Sequence, residues 1–356
     1  MANPLAGIRV VAFEQAVAAP LCTRHLADLG ARVIKVENPA TRHVLDRLLA
    51  GADVVVQNLA PGAAARIGVD AASVTASHPR TVAVDLSGYG SDGPLSHKRA
   101  YDLLVQAEAG SCAITGWPGH LAKAGIPLAD AGAGMYALSS ILAALLARAH
   151  TGKGAMISVS MFDTVAEWMG PALHYTLHTG EVREPTGLGS PMVAPYGAYP
   201  TSDGQTVVLG TTNDQEWQRL ARRLLDRPDL ADDPRYAGNA DRCKRRAELD
   251  EVIAAWTMQH TLAAVQASAD EAEIGNGRLN SVPDLIAHPH LSARGRWQDV
   301  DSEVGAVPVL LPAFNSPDWT PRMDGVPALG QHTDSVLRDL GLTADETAEL
   351  HRIGAV

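Results

Sequence analysis

Cysteine is scarce. The 356 residues hold three, Cys22, Cys112 and Cys243, far apart and with no CxxC pair. That spacing argues against a disulfide scaffold and a cysteine-built zinc site, and it suits a reducing compartment. Basic charge is also short: Lys plus Arg is 29 against 40 Asp plus Glu, a formal net charge of −11. Such a chain lacks the basic surface that non-specific nucleic-acid binding needs, although a local basic pocket for an anionic ligand stays open. The P-loop pattern GxxxxGK[ST], the zinc-protease HExxH and the GxSxG nucleophile elbow are all absent. No targeting segment is evident, since Met1 to Gly7 carries no basic, apolar leader. The most apolar run, Met135 to Ala147, is too short to cross a bilayer. These absences together predict a soluble cytoplasmic protein. What the chain does have is 46% hydrophobic and 19% charged residues, enough for a large core in one large or two moderate domains.

Strand and helix signals alternate from the start. Gly7 to Phe13 reads as a strand and Leu21 to Leu29 as a helix stopped by Gly30. Arg32 to Glu37 is the next strand, Val44 to Leu49 a helix, and Ala52 to Val56 and Thr81 to Leu86 are two more strands. Strand–helix–strand units this short predict right-handed crossovers in a parallel, Rossmann-like sheet. The expected fold class is α/β: a large domain over 1–185, a smaller α+β domain over 190–300, and a tail, 305–356, that returns to the first domain and completes its sheet.

Nicotinamide is not expected. The only GxGxxG, at Gly88, Gly90 and Gly93, runs into Pro94 rather than an apolar helix, so it reads as a turn. No metal is expected either. His288-Pro289-His290 and the pair His174 and His178 have no third ligand placed nearby. The most informative stretch is LADAGAGM, where Asp130 stands before small residues and a long apolar helix. Its bland explanation is that Asp130 caps that helix. The functional one is that helix N–H groups keep the carboxylate ionised while Gly132 and Gly134 leave room for a bulky ligand, as an aspartate nucleophile requires. Three further clusters are Arg99-Ala100-Tyr101-Asp102, Pro79-Arg80, and the loop bearing Gly187 and Gly189. Alone, each reads as ordinary surface or linker.

Together, and in order, these pieces resemble the class III CoA-transferase family, which includes formyl-CoA transferases and α-methylacyl-CoA racemases. The matching text begins PLAGIRVVAFEQAVAAPLCTRHLADLGARVIKVE and continues through ADVVVQNLAPGAAARIGV, GYGSDGP, YDLLVQAEAGSCAITG and LADAGAGMYALSSILAALLARAHTGKGAMISVSMFD to PALGQHTDSVLRDLG. The resemblance implies that Asp130 is the catalytic nucleophile and that acyl-CoA is a co-substrate, with no metal and no nicotinamide. It puts CoA binding on Gln15, Val17, Ala18, Arg80, Arg99, Tyr101 and Asp102, and oxyanion contacts on the Gly187 and Gly189 loop.

The position that holds a catalytic His in the racemases falls on Tyr101 here. Tyr, with an ordinary pKa near about 10, is poorly matched to racemisation. The blocks FEQAVAAP, AEWMG and VAPYGAY look most like transferases acting on small dicarboxylates such as itaconate, mesaconate, citramalate or succinate. An α-methylacyl-CoA racemase, or a CoA-binding protein without catalysis, is the alternative. Family members form interlocked homodimers, so the same assembly is expected. One departure stands out: the family carries a longer, partly basic segment after Glu37, where this chain runs Asn38-Pro39-Ala40-Thr41-Arg42-His43.

Overall fold

The computed structural model describes residues 3–37 and 41–356; Asn38, Pro39 and Ala40, in the shortened stretch, lie outside them. The chain forms two compact units. One comprises 1–112, 123–174 and 290–356, the other 113–122 and 175–289.

In chain order the first part of the molecule runs β1 (Arg9–Phe13), α1 (Ala18–Asp28), β2 (Arg32–Lys35), α2 (Arg42–Ala50), β3 (Val54–Gln57), α3 (Ala63–Ile67), α4 (Ala71–Ser77), β4 (Val82–Ser87) and α5 (Asp102–Glu108). Then come the two-residue arms β5 (Gly116–Trp117) and β6 (His120–Leu121), followed by α6 (Leu128–Thr151), β7 (Ala155–Ser160) and α7 (Met161–Trp168). The sheet of the first unit has five strands in the order β2-β1-β3-β4-β7, every pairing parallel. Both faces are covered, which is why the strands are continuous apolar runs rather than alternating ones. Val10, Val54, Val56, Val82 and Val84 meet Cys22 and Leu26 of α1 and Ala133, Ala137 and Ile141 of α6 on one face. Val11, Phe13, Val55 and Ala83 meet Leu45, Leu48 and Leu49 of α2 and Val74 of α4 on the other.

The chain moves from β1 to β2 on one side, then returns past β1 to β3 on the other. The sheet's order therefore reverses between β1 and β3. In open parallel sheets the crevice beyond the carboxyl ends of strands at such a reversal is where ligands bind.

α6 is longer than the apolar run seen in the sequence. At 24 residues its length and composition alone would let it cross a membrane. Here it is a core helix: Ala129, Ala133, Ala137 and Ile141 are buried against α1 and the sheet. The tail does not complete the sheet as expected. Val307–Leu310 (β12) pairs antiparallel with Trp297–Val300 (β11), forming a separate two-stranded ribbon. The helix Thr333–Asp339 instead lies against α2 and the edge strand β2: Arg32 of β2 pairs with Asp339 at 2.6 Å, and Arg47 Nη1 of α2 donates to Leu340 O at 3.1 Å.

The second unit holds an antiparallel three-stranded sheet of β8 (Tyr196–Pro200), β9 (Thr206–Gly210) and β10 (Gly275–Arg278), with β9 central. Helices pack on it through Trp217, Leu220, Leu249, Ile253 and Val265. Arg242 is buried inside, 1% exposed, and makes four hydrogen bonds. Its guanidinium donates to Ala194 O, Tyr236 O, Ala237 O and Asp214 Oδ1, at 2.6–3.1 Å. A buried charge is tolerable only when its donors are satisfied in this way.

Candidate functional site

The reversal point is fastened by reciprocal hydrogen bonds. Gln15, just past β1, donates its N–H to Asn58 Oδ1, and Asn58 Nδ2 donates to Gln15 O, both at 2.8 Å. Between this clamp and α1 the chain makes a tight turn in which Ala16 has φ of +57°, a left-handed conformation costly for a residue with a Cβ. Glu14 anchors the turn from behind, its Oε2 accepting from Thr23 Oγ1 at 2.5 Å. Burial raises the Glu14 pKa, and the Thr23 bond opposes that rise. α1 begins with no side-chain cap. Among the described residues, the N–H groups of Ala16, Val17 and Ala18 donate to no protein acceptor. Unsatisfied donors at a helix start form an anion site reinforced by the helix dipole.

α6 starts beside this turn. A Cβ on Gly134 would lie 2.5 Å from Ala18 O and 3.3 Å from Leu21 Cβ, so the two helices meet backbone to backbone there. Asp130 is four residues earlier on α6, hence on the same face. The glycines thus serve packing, not the ligand room expected of them. Gly132 likewise makes way for Trp168 and Thr164 of α7, which its Cβ would meet at 2.6 and 2.8 Å.

Asp130 is not the cap of α6. That work falls to Asp102, at the start of α5. Its Oδ1 accepts from the N–H of Ala129 at 2.8 Å and of Asp130 at 3.3 Å. The Asp130 carboxylate is therefore left without a hydrogen-bond donor among the described residues, half-buried at the mouth of the first turn. Burial, and secondly the charge of Asp102, push its pKa up from the ordinary carboxylate value. This reverses the expectation that free helix N–H groups hold it ionised: those groups are spent on Asp102.

The other expected site residues divide by position. Arg99 and Tyr101 lie in the loop between β4 and α5, beyond the carboxyl edge of the sheet. Both are exposed, Tyr101 at 67%. Arg99 has no protein partner among the described residues. Arg80 is not brought to this edge. It precedes β4, and its Nη1 donates at 3.0 Å to Gly152 O, the residue after the last turn of α6. At 1.5 Å per residue, that helix carries it about 30 Å from Asp130. An arginine used to close the far end of α6 is not placed to hold a ligand at its start. In the second unit, Gly187 and Gly189 spend their N–H groups on Gly116 O at 2.6 Å and Thr186 O at 3.0 Å, so neither is a free oxyanion donor. Gly187, with φ of +60°, packs flat on Trp117, which a Cβ would meet at 2.4 Å.

Asn58 and Gln106 are the residues that sequence reasoning passed over. Gln106 sits four residues after Asp102 on α5, a spacing that puts both side chains on one helix face. No three-residue group of His, Cys, Asp or Glu among the described residues is arranged to hold a metal.

The Asp130 carboxylate thus stands one helical turn from the point where α6 touches the uncapped start of α1. The model of CoA-transferase family III matches residues 5–42 and 38–333, and the chain belongs to that family. It is 32% identical to the succinyl-CoA–D-citramalate CoA-transferase of Chloroflexus aurantiacus, over 98% of this chain and 97% of that protein. It is 30% identical to the succinate–glutarate CoA-transferase of Agrobacterium fabrum, over 97% of each. Among solved structures, a CAIB/BAIF family protein from Brucella suis superposes with a TM-score of 0.81 at 29% identity, covering 96% of this chain and all of that one. The two stretches of the family match overlap at residues 38–42. The protein is a CoA-transferase, using acyl-CoA as co-substrate.

Proposed function

We propose that the chain moves CoA from an acyl-CoA donor to a small dicarboxylate through a covalent aspartyl-CoA intermediate on Asp130. The observation that carries this reading is the Asp130 carboxylate, which is uncapped and unbonded while Asp102 takes the helix-capping duty from it. A nucleophile needs its lone pairs unengaged.

Asp130 attacks the thioester carbonyl of the donor, forming a mixed anhydride and releasing CoA thiolate. The thiolate attacks the aspartyl carbonyl, giving aspartyl-CoA thioester and free donor acid. The acceptor carboxylate then attacks that thioester, forming a second anhydride and releasing thiolate again. Thiolate attack on the acceptor's carbonyl gives the new acyl-CoA and restores Asp130. Each carbonyl addition generates an oxyanion, and the free N–H groups of Ala16, Val17 and Ala18 are the donors we assign to it. One thioester is broken and one made, so no nucleotide hydrolysis is required. The dicarboxylate class is supported by the names of the relatives above. Exchange of isotope-labelled succinate into succinyl-CoA, followed by a panel of C4–C5 dicarboxylate acceptors, tests the reaction and finds its partner.

CoA phosphates are assigned to Arg99 and not to Arg80. Arg99→Ala is expected to weaken CoA binding by about 1–3 kcal/mol, the scale of a charge-assisted hydrogen bond. Arg80→Ala is expected to leave it unchanged. Calorimetric titration of CoA into both variants decides the assignment, and equal losses would refute it. We further assign a homodimeric state, supported by the family resemblance. Light scattering at micromolar and nanomolar concentration checks it, and a monomer at both would contradict it.

A further inference from the structure

Gln106 is 0% exposed, a large polar side chain sealed in the first unit. Its amide has one workable orientation. Nε2 donates to Asp102 Oδ2 at 2.6 Å, and Oε1 accepts from the N–H of Ala124 at 3.1 Å. Turned over, it would set an oxygen against a carboxylate and an N–H against an N–H. Asp102 in turn uses its other oxygen to hold the first turn of α6, where Asp130 stands. Ala124 lies in the segment that leads into that helix. One buried amide therefore fixes both the residue that caps α6 and the chain entering it. A side chain needed only for packing would not be a fully buried amide with both polar ends paired across separate segments.

We infer that Gln106 is a positioning residue of the transfer reaction: it holds Asp102 in the orientation that caps α6 and leaves the Asp130 carboxylate unbonded. The inference rests on the nucleophilic role of Asp130 for its kinetic consequence, but not for its geometry. Around α5, the elements packed against it are α6 and α7. These carry Asp130, and Asp163 and Glu167, as their nearby titratable groups. Asp130 is the one whose titration Asp102 shifts. Lys98 and Glu108, on the flanking loop and the last turn of α5, pair with each other at 2.8 Å.

Two substitutions give opposite signatures. In Gln106→Leu the donor that orients Asp102 is lost. The turnover number should fall at least about tenfold while KM changes by less than about threefold, the pattern of a lost transition-state interaction. In the near-isosteric Gln106→Glu, a protonated Glu can still donate to Asp102 at low pH. As pH rises the two carboxylates oppose each other, so turnover should drop on the alkaline side, where wild type holds steady. The Asp130 carboxyl, followed by ¹³C-aspartate NMR in Gln106→Glu, should titrate at higher pH than in wild type, because a like charge has been added nearby.

That NMR measurement does not depend on turnover. A wild type without transferase activity would overturn the proposed reaction and leave the Gln106 relay standing. An Asp130 titration unchanged in Gln106→Glu would overturn the relay, as would turnover profiles in both variants that match wild type per folded molecule. If Gln106→Leu does not fold, the Gln106→Glu titration alone decides.

Discussion

Asp130→Asn is expected to abolish CoA transfer and, at neutral pH, to stabilise the protein. The activity loss should be at least about a thousandfold, since an amide cannot form the acyl intermediate and the remaining groups supply only binding and oxyanion contacts. The stability gain follows from the raised pKa of Asp130, caused first by burial and then by Asp102. The folded protein keeps the Asp130 proton to higher pH than the unfolded chain does. Between the ordinary carboxylate pKa and the raised one, the folded state binds more protons, so stability declines as pH rises through that window. A neutral Asn escapes that decline. Thermal melts of wild type and Asp130→Asn should therefore diverge above the carboxylate range, with the variant higher, and converge in acid. The same raised pKa places the acid limb of turnover above the usual carboxylate range. A variant that melts lower than wild type at neutral pH would show that Asp130 contributes to the fold rather than being held against it.

Gly134→Ala should damage both stability and turnover, and turnover the more. The new Cβ would stand 2.5 Å from Ala18 O, a backbone atom that cannot rotate away. α6 and α1 must separate, at a cost of about 1–3 kcal/mol for overpacking a tight contact. Because Asp130 and the free N–H groups of the Ala16–Ala18 turn sit on the two helices being pushed apart, turnover should fall by about a hundredfold, the scale of an ångström-sized misplacement. Gly132→Ala is the control. Its Cβ would meet the side chains of Trp168 and Thr164, on the face away from α1. It should cost comparable stability and far less turnover per folded molecule. Equal turnover losses in the two variants would remove the Ala16–Ala18 turn from the active site.

The sheet was legible because its strands are buried on both faces. Val10-Val11-Ala12-Phe13, Val54-Val55-Val56 and Val82-Ala83-Val84 are unbroken apolar runs, each lying within a strand of the structure. Ala155–Ser160 was harder to see: it is an edge strand whose first four residues alternate in exposure, so it lacks the unbroken apolar run of the central strands. The tail was misjudged for a related reason. Val307–Leu310 has strand character, but nothing local tells whether a strand joins a distant parallel sheet or folds back on a neighbour, as it does with Trp297–Val300.

At the site, Asp130 was legible as an acid at a helix start. Its duty was not, because the cap comes from Asp102, 28 residues earlier on another helix. Only the family resemblance put Arg80 among the CoA-binding residues, since a lone arginine carries no mark of which edge of the sheet it occupies. The role of Asn58 depended on the pairing of β1 with β3, a long-range fact. Gln106 alone left a readable trace, one helical turn from Asp102.

The central claim is the covalent intermediate, and mass spectrometry of the protein mixed with acyl-CoA and no acceptor tests it most directly. The account predicts a CoA adduct on the peptide containing Asp130, lost on adding a dicarboxylate acceptor and absent in Asp130→Asn. Full exchange of labelled acid into acyl-CoA with no adduct on that peptide would contradict it.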